Sequence, residues 1–218
     1  MAITVRTDLR PLFGLVRDQG RRPTCVAFAV SDAHAVTRGA YTALSVEHLY
    51  FHGVQRMPNG DPARGVSMPK ILEALEFDGQ CAEAGWPYFK VLPADLTSWR
   101  PPPTARPVYQ SGSTALYLEI RQIMDQLDAT RPVVLTLLLG ERFYAPIDGI
   151  VAEGPNDADT AWHAVIAVGH GYDGGQDFIL VRNSWGGTWG LEGHAWVSTG
   201  YLERRVHLLT QITGEGAP

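Results

Sequence analysis

A cluster of prolines divides the chain into two segments of different character. Pro93, Pro101, Pro102, Pro103 and Pro107 stand before Gly112. Proline fixes φ and lacks an amide donor, so neither a helix interior nor a central strand can run through this stretch. It predicts an extended surface connection between two halves. Before it, Thr24 is placed to cap a helix from Cys25 to about Arg38, stopped by Gly39. Ser45 is placed to cap a second helix over Val46–Gly53, and Met68–Phe77 reads as a third. After it, Leu116, Ile120, Ile123, Met124 and Leu127 recur at helical spacing and predict a helix over Thr114–Leu127. Runs typical of strands follow at Val133–Leu139, His163–Gly169, Phe178–Asn183 and His194–Thr199. Helices first and strands second imply an α+β protein with a mainly helical lobe (residues 1–110) and a mainly β lobe (111–218).

With 218 residues, 45% of them hydrophobic, the chain can bury a substantial core. A net charge of −5 and the lack of a long Lys/Arg run argue against nucleic acid or an anionic membrane as partner. The most apolar run, Val133–Leu139, is too short to span a bilayer. Arg6, Asp8, Arg10, Arg17 and Asp18 interrupt the opening segment, which therefore does not resemble a signal peptide. The two cysteines, Cys25 and Cys81, are too few for a disulfide framework and read as free thiols. Together these features predict a reducing, intracellular, cytoplasmic setting.

Cys25 is the residue with the most chemical promise. A thiolate is the reactive form of cysteine, and a position in the first turn of a helix favours it. Backbone N–H groups and the positive end of the helix dipole converge there. A base is needed beside it. Of seven histidines, His163 alone opens a strongly apolar strand, where an imidazole can be held rigidly. His48 and His52 share a helical face, yet no third ligand stands at a convincing spacing, so no metal is expected. Asn183, closing another strand, offers a side-chain carbonyl to one imidazole nitrogen, which would aim the other at sulfur. Trp185, in the glycine-rich turn after it, is placed to cover that hydrogen bond.

These residues together resemble the papain family of cysteine peptidases. Gln19-Gly20 precedes Cys25, His163-Ala164-Val165 begins a strand, and Asn183-Ser184-Trp185-Gly186 is followed by Trp189-Gly190 and Gly193. His163 and Asn183 lie 138 and 158 residues after Cys25, close to the ~130–150 typical of such enzymes. Leu44-Ser45-Val46-Glu47, the stretch from Gly79 to Tyr88, Arg131-Pro132-Val133 and the segment from Phe143 to Ile150 match in order. The resemblance implies a two-lobed fold with a helical lobe, a β-barrel-like antiparallel lobe and an active-site cleft between. It implies an endopeptidase acting on peptide or protein substrates without a cofactor. Cys25 would be the nucleophile, His163 the acid and base, Asn183 its orienting partner, and Gln19 an oxyanion donor. Arg64, Gly65, Trp162, Ala164 and Trp185 would contact substrate.

The family usually reads Cys-Gly-Ser-Cys-Trp around its nucleophile, where this chain reads Arg22-Pro23-Thr24-Cys25-Val26, and Trp162 stands where Asp or Asn is common. Two other functions suit the same residues. One is a transpeptidase or amidase using the same thioester; the other is a catalytically silent peptide-binding module. The 24 residues before Cys25 leave no room for an inhibitory pro-segment, which points either to a mature or excised domain or to an intracellular enzyme restrained by a regulatory partner, a tethered domain or narrow specificity.

Overall fold

The computed structural model describes residues 3–39, 41–155 and 157–214. They form two compact units. One joins residues 19–113 to residues 212–214; the other joins residues 3–18 to residues 114–211.

The first unit is built on three helices: α1 (Cys25–Thr37), α2 (Val46–Gln55) and α3 (Met68–Phe77). Alanines 27, 29, 33 and 35 of α1 are buried, and small side chains let neighbouring backbones approach. Ser45 caps α2 as the sequence implies: its Oγ accepts from His48 N at 3.0 Å and donates to Trp86 O at 2.6 Å. Thr24 occupies the cap position of α1 without capping it. Its hydroxyl instead lies 2.8 Å from the Tyr88 hydroxyl, a tertiary partner that outcompetes the local one.

The proline-rich stretch is largely exposed, as expected of a surface connection, but it is also anchored at a few points. Trp99 and Ala105 are 5% and 3% exposed, and Gln80 and Tyr109 exchange two backbone hydrogen bonds of 2.8 Å. The segment is laid along the helical unit and anchored by its side chains, so residues up to 113 belong with the helices. Gln80 also ties the interior together, donating to Ser31 Oγ at 2.9 Å and pairing with His34 Nδ1 at 3.0 Å.

The second unit is an eight-stranded sheet. Its strands are β1 (Thr4–Asp8), β2 (Ser113–Leu116), β3 (Val133–Gly140), β4 (Ile150–Val151), β5 (Asp159–Tyr172), β6 (Asp177–Arg182), β7 (His194–Ser198) and β8 (Val206–Ile212). The order is β2-β8-β3-β5-β6-β7-β4, with β1 paired to β5 off that path. The sheet is therefore an open path, and β4 with β7 is a parallel pair among antiparallel neighbours. Residues 3–18 join this unit because β1 takes over the edge of β5 beyond the point where β3 ends. Helices α4 (Ile120–Asp128) and α5 (Thr199–Arg205) contact β3 and bring Ile123, Leu127, Tyr201 and Leu202 into the interior. Burial on both faces explains why β3 is a near-continuous apolar run.

The predicted helix over Thr114–Leu127 forms only in its second part. Residues 113–116 are a strand pairing with β8, and Glu119, extended at φ −131° and ψ 128°, precedes the first turn of α4. Strand pairing satisfies backbone groups of residues 113–116 that a helix would otherwise have satisfied.

Candidate active site

His163 sits in β5, opposite Leu137 of β3, with ladder partners on one side fixing its backbone. Asn183 immediately follows β6, and its own N–H donates to Gly193 O at 3.0 Å, closing the turn that leads to β7. The two side chains meet: His163 Nε2 is 2.7 Å from Asn183 Oδ1. That oxygen also accepts from Ser184 N at 2.8 Å, which identifies it as the carbonyl oxygen. The Asn carbonyl therefore receives the Nε2 proton, and the neutral ring keeps its lone pair on Nδ1.

An aromatic cluster surrounds this pair. The Trp185 ring lies 4.6 Å from the imidazole at 34°. Tyr144 stacks on Trp185 at 5.4 Å and 15°, and Phe143 meets its face edge-on at 5.7 Å. Trp189 backs Phe143 at 5.0 Å and donates from Nε1 to Phe143 O at 3.0 Å. His163 and Asn183 are consequently buried. Burial pushes the imidazole down to about 4, and the hydrogen bond to Asn183 opposes that only in part.

The turn from residue 184 to 193 holds its shape through glycine. Gly190 has φ +56°, and a Cβ there would fall 2.3 Å from His194 O. No side chain fits that approach. Gly186 N donates to Arg17 O at 3.2 Å, so the segment before Gln19 braces the same turn.

Cys25 and Gln19 belong to the helical unit. Cys25 is the first residue of α1, partly exposed and not part of a disulfide. The loop before it is tied internally. Gln19 Nε2 donates to Arg22 O at 2.8 Å, Thr24 N donates to the same oxygen at 2.8 Å, and the Tyr88 hydroxyl donates to Gln19 O at 2.9 Å. Because Thr24 does not cap α1, its side chain leaves the first-turn amides to act on whatever charge Cys25 carries.

Among the residues expected to contact substrate, Arg64 is exposed. Gly65 has φ +81° and packs on Pro23 of the Cys25 loop; a Cβ would lie 3.3 Å from Pro23 O. Trp162 is 59% exposed and meets His207 edge-on at 4.3 Å. Ala164 is buried on the face of β5 opposite His163. The structure thus gathers His163, Asn183 and Trp185 in one unit, and Gln19, Cys25 and Gly65 in the other. Phe143, Tyr144 and Trp189 complete the aromatic cluster; in the sequence they stand only within the Phe143–Ile150 stretch and the Trp-Gly pattern, with nothing to assign them to the site.

The other histidines have ordinary partners. His48 Nδ1 is 3.1 Å from Gly79 O, His52 pairs with Asp78 at 3.2 Å, and His170 lies 2.7 Å from Asp128. Among the described residues no set of three His, Cys, Asp or Glu side chains is arranged to hold a metal, and no helix is long and apolar enough to cross a membrane.

A sequence model described as "Papain family cysteine protease" matches residues 5–207. The chain is 28% identical over 207 residues to Peptidase 1 of Dermatophagoides farinae, covering 88% of this chain and 60% of that protein. It is 29% identical over 197 residues to Cathepsin R of Mus musculus, covering 82% and 55%. It thus spans 60% or less of the length of these curated relatives. In fold it is similar to xylellain, a cysteine protease from Xylella fastidiosa (TM-score 0.79, 23% identity, 99% and 88% covered). It is also similar in fold to the Carica candamarcensis cysteine protease CMS1MS2, solved in complex with E-64 (TM-score 0.76, 22% identity, 96% and 98% covered).

Proposed function

The chain belongs to the papain family of cysteine proteases, and we propose that it cleaves within peptide or protein substrates through a thioester on Cys25. The observation that carries this reading is the buried His163–Asn183 hydrogen bond of 2.7 Å, which leaves Nδ1 as the basic nitrogen. In the proposed reaction Nδ1 takes the Cys25 proton. The thiolate then attacks the substrate carbonyl carbon, and the resulting oxyanion is held by the Gln19 side-chain amide and the Cys25 N–H. As the C–N bond breaks, His163 returns the proton to the departing amine. Water, deprotonated by His163, attacks the thioester; the C–S bond breaks, releasing the acid and regenerating the thiol.

Burial alone keeps the imidazole neutral near pH 7, so a charged His163 requires the thiolate beside it. The thiol and the imidazole then titrate as a pair. That neither cysteine is part of a disulfide supports a reducing, intracellular setting for this chemistry.

The test is cleavage of a peptide library by the wild type beside Cys25→Ala and His163→Ala, with mass analysis after treatment with an epoxide thiol reagent. Turnover lost in both variants, with one adduct on Cys25, is the expected result. Cleavage by Cys25→Ala would mean another nucleophile acts. No adduct and no turnover in the wild type would mark a silent binding module, and products joined to an added amine would mark a transpeptidase.

A further inference from the structure

Glu47 is completely buried, and four donor groups converge on its carboxylate. Arg22 clasps it with both ends of the guanidinium, Nη1 to Oε2 at 2.6 Å and Nη2 to Oε1 at 2.9 Å. Trp99 Nε1 donates to Oε1 at 2.6 Å and Phe89 N to Oε2 at 2.9 Å. The Arg22 guanidinium also donates to Phe89 O at 2.5 Å and lies over the rings of Tyr50 and Tyr88, at 5.3 and 4.9 Å. A bidentate arginine on a carboxylate fixes orientation as well as position. The clamp reaches from α2 and the segment of residues 86–99 into the loop before Cys25.

The other end of Arg22 matters equally. Its carbonyl oxygen is the acceptor for Gln19 Nε2 at 2.8 Å and for Thr24 N at 2.8 Å. One residue is therefore clamped by its side chain and orients, through its backbone, both the Gln19 amide and the residue that leads into Cys25. The Gln19 nitrogen carries two hydrogens, and tethering one restricts the arc the other can sweep.

We propose that Arg22 and Glu47 are positioning residues that aim the Gln19 amide at the oxyanion. The proposal rests on the peptidase reading above. Truncating either partner alone strands a buried charge, so the working variant removes both charges while keeping volume: Arg22→Met with Glu47→Gln. Arg22→Lys, which keeps the charge and loses the fork, is the second.

Each variant is compared with the wild type and with Gln19→Ala for kcat and KM on one peptide. Each is also compared for the rate of Cys25 alkylation by iodoacetamide, which needs the thiolate and no oxyanion donor. All measurements are made below the onset of thermal unfolding. The expected result is a fall in kcat on the order of 10²-fold in the neutral pair, approaching that of Gln19→Ala. Alkylation should stay within about threefold, and Arg22→Lys should fall between the pair and the wild type. Adding Gln19→Ala to the neutral pair should cost little more, because both act through one donor. Multiplicative losses, or a neutral pair as fast as the wild type, would overturn the proposal. If the wild type shows no Cys25-dependent cleavage, the peptidase reading fails first and this one with it. Cleavage slowed by Gln19→Ala but not by the neutral pair defeats only the positioning role.

Discussion

Acidification should strip the protein of stability between pH 7 and 5, well before its carboxylates titrate. His163, His48 and His194 are each pushed down to about 4, with burial as the largest cause. In the unfolded chain each titrates near 6.5. Between those values the unfolded state binds protons that the native state refuses, so stability falls as pH falls. A fully buried histidine with this shift contributes about 2 kcal/mol at pH 7 that is gone at pH 5. Taking His163 in full, and halving His48 and His194 for solvent screening, the loss is roughly 4 kcal/mol. That is a large part of a typical folding stability of about 5–15 kcal/mol. Asp8 is held low chiefly by Arg10, and Asp128 chiefly by Thr7 and then His170. Both lose their contribution only below about pH 4 and do not enter this window. Cys25→Ala is the protein to use, because it lacks the proposed nucleophile and the thiol proposed to titrate with His163. With an m-value of about 2–3 kcal/mol/M, the urea midpoint followed by tryptophan fluorescence should drop by roughly 1.3–2 M between pH 7 and 5. The His163 imidazole should show no protonation step near 6.5 by NMR. A midpoint that moves by less than about 0.3 M, or rises, would refute the claim that burial governs these histidines.

Asn183→Ala should slow turnover by about 10- to 100-fold, less than the ~10²–10⁴ associated with removing a general acid–base; steady-state kinetics beside His163→Ala will rank the two, and an equal loss would assign Asn183 a structural role. Ser45→Ala removes the α2 cap and the bond to Trp86 O, and calorimetry should show Tm lowered by roughly 3–6 °C. Gly190→Ala forces a Cβ against His194 O at a left-handed φ, and urea unfolding should register a loss of at least ~2 kcal/mol.

The parts of this protein that were legible in its sequence are those whose physics is local. Met68–Phe77 carries its own helical period, and β3 declares its burial by an apolar run. Asn183, Trp185 and the glycines of one turn lie within eleven residues, so their grouping survives in a linear reading. Strand β1 does not, because its partners in β5 come more than 160 residues later and its own residues are mostly exposed. Residues 114–116 read as helix for a related reason: Leu116 falls in phase with α4, whereas the pairing that overrides it is supplied by β8. Glu47 shows the limit most sharply. A glutamate in the first turn of a helix reads as solvent-facing, since carboxylates are almost never fully buried unless paired. Its burial is a property of Arg22, Phe89 and Trp99, none of which it can see along the chain. A reactive side chain announces itself by its chemistry, but the residues that aim it are ordinary until their partners are known. The loop before Cys25 is therefore where a sequence comparison finds a departure and the structure finds a clamp.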